Sequence, residues 1–240
     1  MTAGIAEEIE GANSRCLIVC EHASNRVPEG FVLRLPAAVM CTHIAIDIGA
    51  ANLSRALAGL LGCGAHLATV SRLVVDLNRP ADVPSLIPQV SDGVAVPGNI
   101  GLDDAEIGRR RELHRAFHAR LEARIAAHPP ALLISVHSFT PSLASEPSHR
   151  PWPIAVLWNK DDRAAIPGLE ALRRHADPVG ANQPYSGIEL NYTMDRHGEA
   201  TGIPYLGLEV RQDMIADATG VDHWAAVVAD AVRHVLDALH

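Results

Sequence analysis

Four short apolar runs in this 240-residue chain each end in residues that are able to do chemistry. The runs begin near positions 16, 73, 131 and 204, and turn-forming residues lie around them. Continuous apolar runs of this length are typical of strands that are buried on both faces of a largely parallel sheet. In open α/β sheets, ligands bind beyond the carboxyl ends of the strands. The polar residues that follow the runs are therefore expected to meet in one crevice.

Helical patterns alternate with these strands. The predicted helices cover 48–58, 103–128, 161–175 and 221–239, and the predicted strands cover 16–20, 65–70, 73–77, 131–136, 154–158 and 204–210. Such alternation predicts one α/β domain over residues 1–240, a three-layer α/β/α sandwich with a mostly parallel, mixed central sheet. Residues 1–14 are predicted to be a loose lead-in, and the Pro-rich stretch 80–101 is predicted to be a long functional loop.

Composition excludes several classes of protein. With 48% hydrophobic and 20% charged residues, the chain can bury a sizeable core and is not disordered. The net charge of −8 argues against nucleic acid or an anionic membrane as a partner. No apolar stretch approaches the roughly 18 residues of a membrane span. The first 14 residues lack the features of a signal peptide, so the cytoplasm is the expected compartment.

Two histidines suggest a metal site. His22 and His137 each follow an apolar run on a different predicted strand, and a neutral imidazole on a rigid element is a good zinc ligand. A third protein ligand is needed, and Asp47, Asn25 and Glu21 remain open as candidates. Asp47 suits zinc best by its charge, although it could instead cap the helix that follows it. The sequence predicts one zinc ion per chain.

Other polar residues have plausible roles beside this metal. Glu209, at the end of the last predicted strand, can act as a general base, or it can form a salt bridge. Arg79 offers a planar fork that matches a carboxylate, and Asn78 adds an amide donor. The alternative for Arg79 is an ion pair with a nearby Asp. Tyr185 and His197 belong to a polar segment that could line the pocket.

Most other histidines are predicted to be solvated bystanders. This group includes His114 and His118, which fall in the long helix predicted at 103–128, and His128 and His149.

Five segments resemble the N-formylglutamate amidohydrolase family, in matching order and spacing between about residues 16 and 213. The segments are 20–28, 43–50, 71–80, 135–141 and 207–213. That family is similar in turn to the zinc carboxypeptidases and aspartoacylase, in which an HxxE pair and a later His bind zinc. There, an Asn-Arg pair holds the substrate carboxylate, and a late Glu is the base.

The resemblance implies a zinc-carboxypeptidase-like fold and assigns these roles to five residues of this chain. They are His22 and His137 as ligands, Asn78 and Arg79 as the carboxylate clamp, and Glu209 as the base. The chain departs from the HxxE pattern at Asn25, where Glu is expected, which leaves Asp47 as a substitute ligand and Asn25 as a substrate contact.

The resulting hypothesis is hydrolysis of an N-acyl, above all N-formyl, acidic amino acid such as N-formylglutamate to the free amino acid and formate. Arg72 is expected to help stabilise the oxyanion. Two alternatives stay open: a catalytically impaired binding or sensor protein for an acidic small molecule, and a carboxypeptidase-like peptidase.

Overall fold

A seven-stranded sheet organises the molecule. The computed structural model describes residues 4–145 and 147–240. The strands are β1 (Ala6–Ile9), β2 (Asn13–Cys20), β3 (Cys63–Ala68), β4 (Val90–Ser91), β5 (Val94–Ala95), β6 (Leu132–Phe139), β7 (Ile154–Leu157), β8 (Val179–Ala181) and β9 (Tyr205–Arg211). The helices are α1 (Ala37–Met40), α2 (Ala50–Leu61), α3 (Asp104–Ala127), α4 (Ala165–Leu172), α5 (Tyr192–His197) and α6 (Ala218–Ala238).

The sheet has the order β1-β3-β2-β6-β9-β7-β8, and β4 pairs with β5 in a separate hairpin. Strands β3, β2, β6 and β9 are parallel neighbours, whereas β1 and β7 pair antiparallel to β3 and β9. The four parallel strands at the centre are buried on both faces, as expected for such sheets. The predicted α/β architecture with a mostly parallel, mixed sheet is confirmed.

The two faces of the sheet have separate cores. Alternate residues of β2 divide between them: Ile18 packs with helices α2, α4 and α6, while Val19 packs with α3 and the buried segment around residues 70–77. Because side chains alternate along a strand, His137 in β6 and Glu209 in β9 belong to the second face. This face carries the polar residues of the site.

The longest helix is stabilised at its start by its own sequence. The side chain of Asp103 accepts a hydrogen bond from the backbone N–H of Glu106 at 2.8 Å, which satisfies one of the free N–H groups of α3. Asp217 caps α6 in the same way. On α3, Leu113, Phe117 and Leu121 are buried against the second face of the sheet, so the spacing of about four residues predicted the buried side correctly.

Two sequence predictions about the fold are wrong. Residues 1–3 of the predicted lead-in lie outside the described residues, but the described part is not loose. Residues 6–9 form edge strand β1, whose carboxylates bind the guanidinium groups of Arg55 and Arg124. The run 73–77 is not a strand. It forms buried turns whose backbone groups pair with one another and with side chains. In the described part of the chain, no helix combines the length and apolar character that crossing a membrane requires.

Candidate metal centre and active site

Three donor atoms converge on the second face of the sheet. Oδ2 of Asp47 lies 3.3 Å from Nδ1 of His22 and 2.8 Å from Nδ1 of His137. The two imidazole ring centroids are 5.0 Å apart, and all three residues are buried. Ligand atoms on a tetrahedral zinc ion lie roughly 3–3.5 Å from one another, given bond lengths near 2.0–2.2 Å. The spacing of these atoms therefore fits a single zinc ion.

The opposite nitrogen of each ring faces a carboxylate. Nε2 of His22 lies 2.8 Å from Oδ1 of Asp76, and Nε2 of His137 lies 3.2 Å from Oε2 of Glu21. A histidine that binds a metal through one nitrogen almost always offers its other N–H to a carboxylate, a carbonyl or water. Both rings have Nδ1 towards Asp47 and Nε2 towards an outer carboxylate, with a hydrogen bond at His22 and an ion-pair contact at His137. The donor set and its surroundings therefore fit a metal centre.

Asp47 reaches the centre because of the turn that precedes α2. Gly49 has a left-handed backbone conformation with φ of 83°, and a Cβ atom there would lie 2.4 Å from the carbonyl oxygen of Ile215. Gly49, rather than Asp47, is the N-cap of α2, and Asp47 contributes only its backbone carbonyl to Ala50. Its carboxylate is left for His22, His137 and Arg72. The capping role that the sequence allowed for Asp47 is therefore wrong.

The charges around the two rings favour a bound cation. Burial opposes the charged form of His137, but Glu21 and Asp47 outweigh this effect and raise its pKa well above the ordinary value. Burial likewise opposes ionisation of Glu21, yet His137 lowers the pKa of that carboxyl to about 2. Either a proton or a metal ion can supply the positive charge that these buried carboxylates require.

Arg72 connects two of the carboxylates. Its Nη1 lies 3.2 Å from Oδ1 of Asp47, and its Nη2 lies 3.0 Å from Oδ2 of Asp76. Although burial opposes the ionised form of Asp76, Arg72 and His22 hold its pKa well below the usual range. Asp76 therefore stays ionised and can accept the N–H of His22. Arg72 both fixes these carboxylates and lines the cavity beside them.

Glu209 lies next to His137 because the parallel strands β9 and β6 pair these two residues directly. Burial raises the pKa of its carboxyl to about 7, and the charge of Asp47 acts in the same direction. Its Oε2 is buried and has no hydrogen-bond partner among the described residues. A carboxyl group whose pKa is near neutral can accept a proton in one step and return it in another.

A cavity of about 230 Å³ is lined by Asn78 and Arg79. The candidate metal ligands, Arg72 and Glu209 line it as well. In the part of the chain that the structure describes, no carboxylate lies within ion-pair distance of Arg79, whose Nη1 donates to the carbonyl of Asn78. The ion pair that the sequence allowed for Arg79 is thus absent there. Oδ1 of Asn78 accepts the backbone N–H of Thr193 at 3.0 Å, which leaves its NH₂ group as a donor towards the cavity.

The outer wall of the cavity comes from three loops that Asp92 joins. Asp92 lies at the tip of the β4–β5 hairpin and accepts hydrogen bonds from Nε2 of His43, the N–H of Ala144, and both the N–H and hydroxyl of Ser145. The stretch 80–101 therefore includes a hairpin that closes one side of the cavity. Tyr185 lies on the same cavity, and its hydroxyl accepts a hydrogen bond from Arg150 at 3.0 Å.

The structure does not bring every predicted residue to this site. Asn25 is wrong as a ligand or substrate contact, because its amide donates to the carbonyl of Met40 and it does not line the cavity. His197 is also wrong as a pocket residue, since its ring packs against His118. The solvated positions predicted for His114 and His118 are wrong too, because both side chains are buried.

Sequence reasoning gave no role at the metal site to Asp76 and treated Glu21 only as a ligand candidate. Each of these carboxylates adjoins an apolar run and lies close in sequence to a predicted site residue. This position could have suggested them as partners for the two imidazoles. Asp92 offered no such signal, because only its position at the tip of the hairpin brings it to the cavity wall.

The fold and the site together define an α/β protein in which one end of the sheet carries a candidate metal centre, the buried carboxyl group of Glu209 and the cavity-lining residues Asn78 and Arg79. The model of the N-formylglutamate amidohydrolase family (FGase) matches residues 14–216, and the chain belongs to this family. Its class is therefore that of hydrolases that act on amide bonds, as the resemblance of the five segments predicted.

Solved structures of similar proteins share the fold. The gene product Atu2144 from Agrobacterium tumefaciens has a TM-score of 0.89 and 29% identity, over 98% of this chain and 96% of that one. An N-formylglutamate amidohydrolase from Ralstonia eutropha JMP134 has a TM-score of 0.64 and 15% identity, over 98% and 97%. No curated protein matches the sequence.

Proposed function

We propose that this protein is a zinc-dependent amidohydrolase that hydrolyses an N-acyl, above all N-formyl, acidic amino acid such as N-formylglutamate. The products are the free amino acid and the carboxylate of the acyl group, which is formate for an N-formyl substrate. One observation carries the proposal. A single cavity holds the three convergent donor atoms, the carboxyl group of Glu209 and the guanidinium group of Arg79, which has no carboxylate partner among the described residues. A metal centre, a base and an anion-binding group are the requirements for hydrolysing an amide that carries a carboxylate.

His22, Asp47 and His137 would hold one zinc ion per chain, because two imidazoles and one carboxylate form a donor set that zinc favours. When bound, zinc supplies Lewis acidity that polarises a carbonyl group and acidifies water. Asp76 orients the imidazole of His22 by accepting its Nε2 proton, and Oε2 of Glu21 lies 3.2 Å from Nε2 of His137 as its ion-pair partner. Asn25 stands where the HxxE pattern has a Glu ligand, and Asp47 would take that place as the third ligand. The absence of Glu at position 25 therefore no longer favours a catalytically impaired binding protein.

Glu209 is the proposed general base. Its carboxylate takes the proton of the attacking water and then returns it to the leaving nitrogen. The pKa of about 7 suits both steps near neutral pH, since the group is neither too weak a base nor too weak an acid. The partnerless Oε2 supports this role, because no described protein donor competes for it.

Charge that develops on the carbonyl oxygen needs donors of its own. Arg72 lines the cavity and is the proposed stabiliser, through guanidinium N–H groups that its two carboxylate partners do not use. Tyr185 can assist, because its oxygen accepts from Arg150 and its own proton remains available to a substrate. One well-placed donor of this kind contributes about 3 kcal/mol to transition-state stabilisation.

The proposed partner is a small anionic N-acyl amino acid rather than a nucleic acid or a membrane. Arg79 and the NH₂ group of Asn78 would bind a carboxylate of the substrate, with Arg79 supplying the charge. The cavity volume of about 230 Å³ lies below the range that is typical of pockets for drug-sized ligands. The wall joined by Asp92 encloses one side of the cavity. These features favour an amino-acid derivative over the peptide that a carboxypeptidase would take.

The test is a hydrolysis assay on purified protein with N-formyl, N-acetyl and N-succinyl derivatives of Glu, Asp and Gln. The proposal predicts that N-formylglutamate or a close acidic analogue is hydrolysed fastest. Activity should disappear after chelation and return with one equivalent of zinc. Activity that survives complete metal removal would exclude the metal mechanism, and turnover of none of these amides would exclude the proposed reaction.

A further inference from the structure

The segment that carries Asn78 and Arg79 has no neighbouring strand to hold it. Its backbone forms buried turns, and several of its carbonyl groups accept hydrogen bonds from side chains instead. A buried backbone carbonyl needs a partner, so these side chains, together with backbone hydrogen bonds at Ser71 and Asp76, fix where the segment lies. Two of them are histidines for which the proposed chemistry has no use.

His114 and His118 lie one turn apart on α3 and approach the two carbonyl groups that flank Asn78. Nε2 of His118 is 2.9 Å from the carbonyl oxygen of Leu77, and Nε2 of His114 is 2.9 Å from that of Arg79. A carbonyl oxygen can only accept, so Nε2 carries the proton in both rings. The pair therefore holds the backbone on both sides of Asn78.

Helix α5 adds a third histidine and a direct contact. Nδ1 of His118 lies 3.0 Å from Nε2 of His197, and since Nε2 of a neutral His118 is protonated, its Nδ1 accepts and His197 donates. The neighbouring Thr193 donates its backbone N–H to Oδ1 of Asn78. Helix α5 thus contacts the segment both through the Asn78 side chain and through His118.

Asn78 and Arg79 line the cavity, whereas none of these three histidines is among its described lining residues. All three rings are buried, and Tyr192 packs edge-on against His118 at 5.2 Å. Any effect of these histidines on a ligand must therefore pass through Asn78 and Arg79.

We propose that His118, together with His114 and His197, is a positioning residue that orients Asn78 and Arg79 for binding of the substrate carboxylate. This inference rests on the proposed function, since it concerns the same cavity. It assigns His118 no contact with substrate or metal. Its expected effect is on the affinity for a carboxylate, and neither proton transfer nor metal binding should depend on it.

The test compares His118→Leu and His118→Gln in the zinc-loaded protein. Leucine removes both hydrogen bonds, whereas glutamine keeps an amide donor near the position of Nε2. The substrates are N-formylglutamate and its two monoamides, each of which has lost one carboxylate. The monoamide that wild-type protein hydrolyses worst identifies the carboxylate that Arg79 binds.

For His118→Leu we expect KM for N-formylglutamate to rise about tenfold, with kcat changed less than twofold. The preference for the acid over the discriminating monoamide should fall by the same factor, and His118→Gln should restore most of it. A loss that is equal for acid and monoamide, or that falls on kcat alone, would overturn the inference.

Two further variants keep the test informative. His66 is another buried histidine, on β3, whose Nδ1 is bonded to Glu8 rather than to the segment, so His66→Leu should leave the preference for the acid unchanged. If His118→Leu does not fold, His114→Leu removes only the partner of the Arg79 carbonyl and is expected to weaken the same preference.

Failure of the proposed function can be told apart from failure of the inference. If wild-type protein hydrolyses none of the three compounds, the proposed function fails. Calorimetric binding of N-formylglutamate and its monoamides then tests the inference directly. Equal discrimination by wild type and His118→Leu in that experiment would overturn it.

Discussion

Two groups of buried histidines lie on the same face of the sheet and have opposite surroundings. His22 and His137 are surrounded by carboxylates, and the pKa of His137 is raised. His118 and His197 face a carbonyl group and each other, and burial lowers their pKa values to about 2 and about 4. The first group attracts a cation, and the second group remains neutral.

The difference shows that the neighbours of a histidine determine its role more than its burial does. A ring between carboxylates exchanges a proton for a metal ion, because either one neutralises the surrounding charge. A ring such as that of His118, which donates to a carbonyl group and accepts from another imidazole, already uses both nitrogens as a neutral ring, and protonating it would bury an uncompensated charge. One group is therefore suited to chemistry and the other to holding the backbone.

The largest expected effect concerns Glu209, the buried carboxyl group that is not assigned to orient the ring of His22 or His137. Glu209→Gln should lower kcat by about 10²–10⁴-fold, the usual contribution of a general base, while one zinc ion per chain is retained. Steady-state kinetics and metal analysis of the same preparation measure both quantities. Near-normal turnover would remove Glu209 from the role of base, and loss of zinc would instead place it among the groups that hold the metal.

A smaller effect is expected for a carboxylate that orients a ring. Asp76→Asn should weaken zinc binding by about 10–100-fold, as is typical when the partner of a metal-binding histidine is changed. Asp92→Asn is the matched control, because Asp92 is also hydrogen-bonded and beside the cavity but contacts neither His22 nor His137. Competition with a zinc chelator gives the two affinities. Equal weakening in both variants would contradict the assigned role of Asp76.

The smallest effect concerns stability and acts through the neutral histidines. Their folded-state pKa values lie below the ordinary value of about 6.5. The unfolded chain therefore binds more protons than the folded one between about pH 6.5 and 4.5. Each of the two histidines should cost on the order of 2 kcal/mol of stability as the pH drops through this window.

Denaturant unfolding of the metal-free protein at several pH values measures this slope, and His118→Gln should flatten it. For His137 the pH dependence of stability is reversed, because its pKa is raised in the folded state. Its contribution to the free energy of unfolding is complete below about pH 6.5 and is lost as the pH rises towards the raised pKa. An acid slope that is unchanged in His118→Gln would show that the two groups of histidines do not differ as described.

Much of the fold follows from local pattern. The apolar runs of β2, β6 and β9 and the spacing along α3 indicated the elements that form the central sheet and its cover. The run 73–77 misled because an apolar stretch without periodicity does not distinguish a strand from a buried turn segment. The short strand β1 was missed because its charged residues resemble a solvated tail until Arg55 and Arg124 pair with them.

The site divides in the same way. Residues directly after or within strands, such as His22, His137 and Glu209, were predictable because parallel strands end at the same edge of a sheet. The choice of Asp47 over Asn25 depends on the turn at Gly49, which the sequence did not specify. The histidines of α3 and α5 were not predictable, because their partners are backbone carbonyl groups of a segment whose position is set only by tertiary structure.

The most direct test of the central claim is calorimetric titration of zinc into metal-free protein, with His137→Ala and His118→Leu measured alongside the wild type. The account predicts one zinc ion per chain for the wild type and for His118→Leu, and loss of this binding in His137→Ala. A wild-type protein that binds no zinc, or a His137→Ala variant that binds it as tightly as the wild type, would contradict the account.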